Sequence, residues 1–173
     1  KSTYSPEKGT TSLSYDMLGN VIRSVDSNGI ITENEYDTYA RVSKTTSYRA
    51  SDSDTKEETY LYYGDSAGDC TYTSYAKNRV CRTELKSYVD NDETFFVRED
   101  VEYDLMGRAK TREQIINDEK KYVLKFGYDL SGNMVSITYP DNKVVRYNYN
   151  GLNQMESVSY TNPDGTTIAN SYL

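Results

Sequence analysis

From Lys121 to Tyr128 the chain alternates, with Tyr122, Leu124, Phe126 and Tyr128 on one side and Val123, Lys125 and Gly127 on the other. That is the period-two signature of a strand with one better-buried face. Similar runs, each ended by turn residues, predict strands over 12–16, 21–26, 30–36, 42–48, 59–63, 83–89, 95–103, 108–116, 121–128, 156–161 and 166–172, with another ending in Tyr147-Asn148-Tyr149. In the 95–103 run, Phe95, Val97, Val101 and Tyr103 share a face that Glu99 interrupts. Asp26-Ser27-Asn28-Gly29, Asp90-Asn91-Asp92-Glu93, Asn117-Asp118-Glu119-Lys120, Pro140-Asp141-Asn142 and Asn162-Pro163-Asp164-Gly165 read as hairpin turns, and Ser5-Pro6-Glu7-Lys8-Gly9 as a turn near the start. No segment sustains a helical period. The pattern therefore predicts an all-β chain of successive antiparallel hairpins.

One phrase punctuates it. Tyr128-Asp129-Leu130-Ser131-Gly132-Asn133 has close copies at Tyr15-Asp16-Met17-Leu18-Gly19-Asn20 and Tyr103-Asp104-Leu105-Met106-Gly107-Arg108. Degraded copies stand at Tyr36-Asp37-Thr38-Tyr39-Ala40-Arg41 and Tyr149-Asn150-Gly151-Leu152-Asn153-Gln154. Tyr15 to Tyr36 and Tyr128 to Tyr149 are each 21 positions, and Tyr103 to Tyr128 is 25, a period that marks a repeat array. The 67 positions between Tyr36 and Tyr103 leave room for two eroded units, one of them beginning at Tyr63-Gly64-Asp65-Ser66-Ala67-Gly68.

The phrase has a physical reading. An Asp after the strand accepts a hydrogen bond from the N–H two residues on, and a residue at positive φ three positions later closes the loop. Gly19, Gly107, Gly132 and Asn153 suit that position; Ala40 does not, so a different turn is expected there.

Phrase and period resemble the YD repeats of the RHS family, found in bacterial polymorphic toxins, shell-forming subunits of insecticidal toxin complexes and teneurin ectodomains. The family pattern, Tyr-Asp-x-x-Gly-Arg, is complete only at Tyr103-Asp104 with Gly107-Arg108; Asn20, Asn133 and Gln154 replace the arginine elsewhere. The resemblance implies a curved, spiralling sheet that forms part of a β-shell, with neighbouring repeats of the same polypeptide and an enclosed effector as partners. It implies a secreted or cell-surface setting. The cleavage segment that follows the repeats in RHS toxins contains Asp-Pro; this chain has none, so self-cleavage is not carried over. On this reading residues 1–173 are a single array, degenerate at about 49–98, and a fragment of a longer chain.

Composition changes the picture in three places. A net charge of −7 argues against nucleic acid, whose phosphates demand a basic groove. No apolar run is long enough to span a bilayer. Nineteen tyrosines can supply buried area that a 36% apolar content does not, and a tyrosine-rich face that binds glycans or a protein is the alternative reading of the same residues.

Chemistry is sparse. Histidine is absent, which excludes histidine bases within this chain, and no serine sits in a nucleophile elbow. No catalytic, cofactor-binding or metal-ligating residue is assigned and the chain reads as non-enzymatic. The acidic stretch 50–58 is expected to be a surface loop; neither it nor Asp90-Asn91-Asp92-Glu93 has EF-hand spacing. Cys70 and Cys81 are either a disulfide across a short hairpin or two free thiols.

Overall fold

A computed structural model describes residues 2–5, 9–65 and 69–171. Fourteen strands run in chain order: β1 Ser2–Ser5, β2 Gly9–Tyr15, β3 Val21–Val25, β4 Ile30–Tyr36, β5 Val42–Arg49, β6 Asp52–Tyr63, β7 Val80–Val89, β8 Asp92–Tyr103, β9 Ala109–Ile116, β10 Lys120–Tyr128, β11 Met134–Thr138, β12 Val144–Tyr149, β13 Met155–Thr161 and β14 Thr167–Ser171. Each pairs antiparallel with its neighbours in sequence, giving one open sheet in strictly sequential order. The all-β hairpin reading is borne out. The expected turn at residues 5–9 lies mostly outside the described residues, as do Ser66, Ala67, Gly68 and Tyr172.

A sequential meander places alternate connections on opposite edges. Every YD turn joins an even strand to the next odd one, so all of them lie on one edge; the connections at 26–29, 50–51, 90–91, 117–119, 139–143 and 162–166 lie on the other. The register also separates two faces. Leu124 opposes Arg112, Phe126 opposes Ile137, Leu85 opposes Val97 and Val145 opposes Tyr160, so one face carries the apolar residues and the YD tyrosines. The other is built of interleaved charges, with Lys44 to Glu58 at 3.1 Å, Lys86 to Glu93 at 3.1 Å and Lys121 to Glu113 at 2.8 Å. Burial is deepest where the strands are longest, at β6 to β9, and takes in Val101 and Cys81 together with Glu58, Asp100, Thr111 and Glu113.

Two expectations are corrected here. The acidic stretch is not a loop: only Ala50 and Ser51 turn, and β6 runs from Asp52, with Lys56 opposite Tyr48 and Tyr88, and Glu58 opposite Thr46 and Lys86. A strand with polar residues on both faces gives no hydrophobic alternation to read, and cross-strand charge pairs supply the contacts instead. Likewise the turn at 90–93 is tighter than expected. Asp90 and Asn91 alone adopt positive φ, 52° and 67°, the two-residue geometry that matches strand twist.

Candidate functional site

Each YD tyrosine stands beside a bulge. Tyr15 pairs with Val21, Tyr36 with Val42, Tyr63 with Val80, Tyr103 with Ala109, Tyr128 with Met134 and Tyr149 with Met155, and in all six the register shifts by one residue on the outgoing strand. A bulge interrupts the ladder and bends the strand that carries it. The next tyrosine along the chain then donates its hydroxyl to the carbonyl at that joint: Tyr36 to Val21 O at 2.8 Å, Tyr63 to Val42 O at 3.0 Å, Tyr103 to Val80 O at 2.7 Å, Tyr128 to Ala109 O at 3.0 Å and Tyr149 to Met134 O at 3.0 Å. One hydrogen bond thus ties each repeat to the one before it.

The aspartates close the turns. Asp104 Oδ1 accepts from Met106 N and Arg108 N, both at 2.9 Å, and Asp16 Oδ1 accepts from Leu18 N at 2.9 Å and Asn20 N at 2.8 Å. Asp129 accepts from Asn133 N at 2.8 Å, and Asn150 plays the same part toward Leu152 and Gln154. The second carboxylate oxygen is held by the residue four positions on, Asn20, Arg41, Arg108 or Asn133. The backbone bonds from Arg108 hold the Asp104 carboxyl below the usual range against a small burial penalty, and the side-chain bonds from Asn20 and Asn133 do the same for Asp16 and Asp129.

Gly19, Gly107, Gly132 and Asn153 take φ of 88°, 77°, 91° and 59°. Ala40 takes 58° and makes the same turn, with Ala40 N to Asp37 O at 3.0 Å and Asp37 N to Arg41 O at 2.8 Å. The expectation of a different turn there is corrected. Left-handed backbone costs alanine about 1–2 kcal/mol, and Asp37 offsets it by holding Tyr39 N at 2.8 Å, Arg41 N at 2.9 Å and the Arg41 guanidinium.

The arginine of the phrase serves the next unit. With its carboxylate bond made, Arg108 lies over the Tyr128 ring at 4.4 Å and Arg41 over the Tyr63 ring at 3.9 Å. Sequence reasoning assigned it no role; the signal was the aromatic one period downstream.

One unit, not two, lies between Tyr36 and Tyr103. It is Tyr63-Gly64 closed by Gly64 N to Arg79 O at 3.0 Å, with Asn78 at φ 59° in the left-handed position expected further upstream. Longer strands fill the remaining distance. The intervening residues cross the charged face: Thr71 Oγ donates to Asp100 Oδ1 at 3.0 Å, Tyr72 to Glu113 at 3.4 Å, and Ala76 is fully buried. Beneath them Asp100, also fully buried, receives Arg82 Nε at 2.9 Å and Arg98 Nε at 2.8 Å. Cys70 and Cys81 are joined, with Cα atoms 5.7 Å apart, tying this insert to the first turn of β7.

Chemically the arrangement binds itself. The signature carboxylates are committed to turns, and the described residues hold no group of three His, Cys, Asp or Glu placed for a metal ion. No helix is long and apolar enough to cross a membrane.

The RHS repeat family model matches residues 126–167, from the end of β10 to the start of β14. No curated protein matches the chain by sequence. Among solved structures, it is similar to "Crystal Structure of TcdB2-TccC3-Cdc42", at 13% identity with a TM-score of 0.41, covering 99% of this chain and 11% of that one. It is also similar to "Crystal Structure of TcdB2-TccC3" and to a Photorhabdus luminescens Tc holotoxin pore, each at 12% identity with a TM-score of 0.43 and the same coverage. The chain thus spans about a tenth of those chains' length. Residues 126–167 are an RHS repeat, and the joint they carry recurs from Tyr15 to Tyr149, which makes the chain a repeat array of the RHS/YD type.

Proposed function

We propose that the chain is a non-catalytic wall segment of a β-ribbon shell that encloses or presents an effector belonging to the same long polypeptide. The observation that carries this is the tyrosine joint: five successive repeats are tied each to the last by the same hydroxyl-to-carbonyl bond, so the signature residues are spent on continuing the ribbon. A wall needs such propagation, since each unit of an array is stabilised by its neighbours. Single array, longer parent and secreted setting all belong to this reading.

The test uses the natural full-length polypeptide. A photoreactive residue placed at Val145 reports from the apolar face and one at Arg146 from the charged face, because the two neighbours on β12 point opposite ways. Cargo adducts from one face only are expected. Equal solvent labelling of both with no intramolecular adduct would reject enclosure.

A second reading has one observation in its favour. Tyr122, Tyr139 and Tyr160, each about 40% exposed, line one hollow on the apolar face with Pro140 and the ion-paired Asp141 and Lys143. Exposed aromatic rings beside polar groups suit a sugar ring. Saturable binding of an oligosaccharide in calorimetry, lost in Tyr139→Ala, would favour it over the wall reading.

A further inference from the structure

The turn residues between Asp and the left-handed position do no structural work through their side chains, since only their backbone N–H groups enter the turn. Solvent-facing turn tips are ordinarily polar or glycine. Here they are Met17 and Leu18, Leu105 and Met106, Leu130 and Leu152, exposed by 74–108%, with Tyr39 at 71%. The opposite edge differs at every described turn: Ser27 and Asn28, Ser51, Asp90 and Asn91, Asn117 and Asp118, Asp141 and Asn142, Asp164. The ribbon therefore has one apolar edge and one polar edge.

From this we infer that the apolar turn edge is an interaction surface whose partner is the same edge of a second copy of this chain, in an antiparallel two-fold arrangement with tips interdigitating. Periodicity selects that partner. The tips recur once per two strands, roughly every 10 Å, and a ridge of that step is matched along its length only by a surface with the same step. The ribbon's own apolar edge has it; the polar edge has the step without the chemistry. Size agrees. At about 100 Å² of apolar surface per tip, the seven tips bury on the order of 700 Å² per partner, near the ~800 Å² of a standard specific interface. The acidic net charge opposes association at long range, while the turn aspartates are already paired within their own loops. Dimerisation through the apolar tips therefore strengthens as salt screens that charge. This inference is independent of whether the ribbon encloses cargo.

Sedimentation equilibrium of the chain over a concentration series, at low and high salt, tests it. A dimer is expected, tighter at high salt. Leu105→Ser with Met106→Ser and Leu130→Ser should raise its dissociation constant at least about tenfold while leaving the urea midpoint unchanged, because none of the three side chains enters a turn bond. A control, Thr3→Lys with Ile168→Lys, charges the two open edge strands and should leave the dimer in place. A monomer at every concentration, a serine variant that dimerises as tightly as the parent, or loss of the dimer in the lysine control would each overturn the inference.

Discussion

The unit opening at Tyr128 and the unit opening at Tyr63 build the same joint by different means. In the first, Asp129 closes a tight turn through Asn133, and no residue is spare. In the second, Gly64 stands where the aspartate would be, and an insert held by the Cys70–Cys81 bond replaces the loop. Yet Tyr63 pairs with Val80 across the same bulge, Gly64 N meets Arg79 O at 3.0 Å, and Tyr103 reaches Val80 O at 2.7 Å. What the array needs at each step is the tyrosine, the bulge and the carbonyl it exposes. The aspartate turn is one way to bring the strands there, and a stapled insert is another.

That comparison is broken most severely at Asp100. It is fully buried beneath the insert between Arg82 and Arg98, and the regular units have no counterpart. Removing one partner of a buried ion pair leaves the others uncompensated, so Asp100→Ala should cost roughly 3 kcal/mol. Denaturant melts would show it. A loss under about 0.5 kcal/mol, the size of a neutral surface change, would mean the insert does not depend on what it covers.

Cleaving the staple is the next largest change. Closing a loop of this length is worth about 2–3 kcal/mol in the chain-entropy account, so Cys70→Ser with Cys81→Ser should lower stability by that order. Amide exchange should rise in 69–79 and stay unchanged around Tyr128. Two alkylatable thiols in protein purified without reductant would reject the bond outright, and with it the view that the insert is held by covalent closure.

The joint itself is sharpened by Tyr103→Phe and Tyr128→Phe. Each deletes one hydroxyl and leaves a part-buried carbonyl without its donor, which should cost about 1 kcal/mol in either unit. Equal costs would show that the joint is the common currency of both kinds of unit. A neutral Tyr128→Phe beside a costly Tyr103→Phe would confine its importance to the stapled unit.

Much of this was legible in the sequence because turns carry their chemistry locally. The phrase at Asp16, Asp104 and Asp129 names its own hydrogen bonds, and alternation in 121–128 names its own faces. The strand at 52–63 was not legible, since its stability comes from charges on β5 and β7 that are distant in sequence. Nor were the tyrosine-to-carbonyl bonds, which depend on bulges that no local pattern marks, nor the carboxylate of Asp100, whose partners come from β7, β8 and the insert. Ala40 was misread for the opposite reason: a local rule was applied where Asp37 and Arg41 override it. The same position offers a gain. Ala40→Gly relieves the left-handed strain and should stabilise by roughly 0.5–1 kcal/mol, whereas Gly132→Val, at φ 91° in open space, should destabilise by about 1–2 kcal/mol through backbone strain alone. If Gly132→Asn and Gly132→Val melt alike, the left-handed assignment fails.

The smallest expected effect separates the two closures by pH. In the regular turns Asp16, Asp104 and Asp129 titrate below the ordinary aspartate value because the ionised form accepts backbone and side-chain donors. A carboxylate whose folded pKa is depressed contributes stability that is fully present above its unfolded value, about 4, and is lost as pH falls through the lower folded value. Stability should therefore be insensitive to these three groups at neutral pH and decline through them below about pH 4. Gly64 has no carboxylate to protonate, so the tie between Tyr63 and Val42 should outlast the turns in acid. Amide exchange against pH reads the two separately: faster exchange at Leu18, Met106 and Arg108 before any change at Gly64 is the expected order. Simultaneous loss would show that turn and joint are one cooperative unit, and that the stapled loop gains no independence from lacking the aspartate.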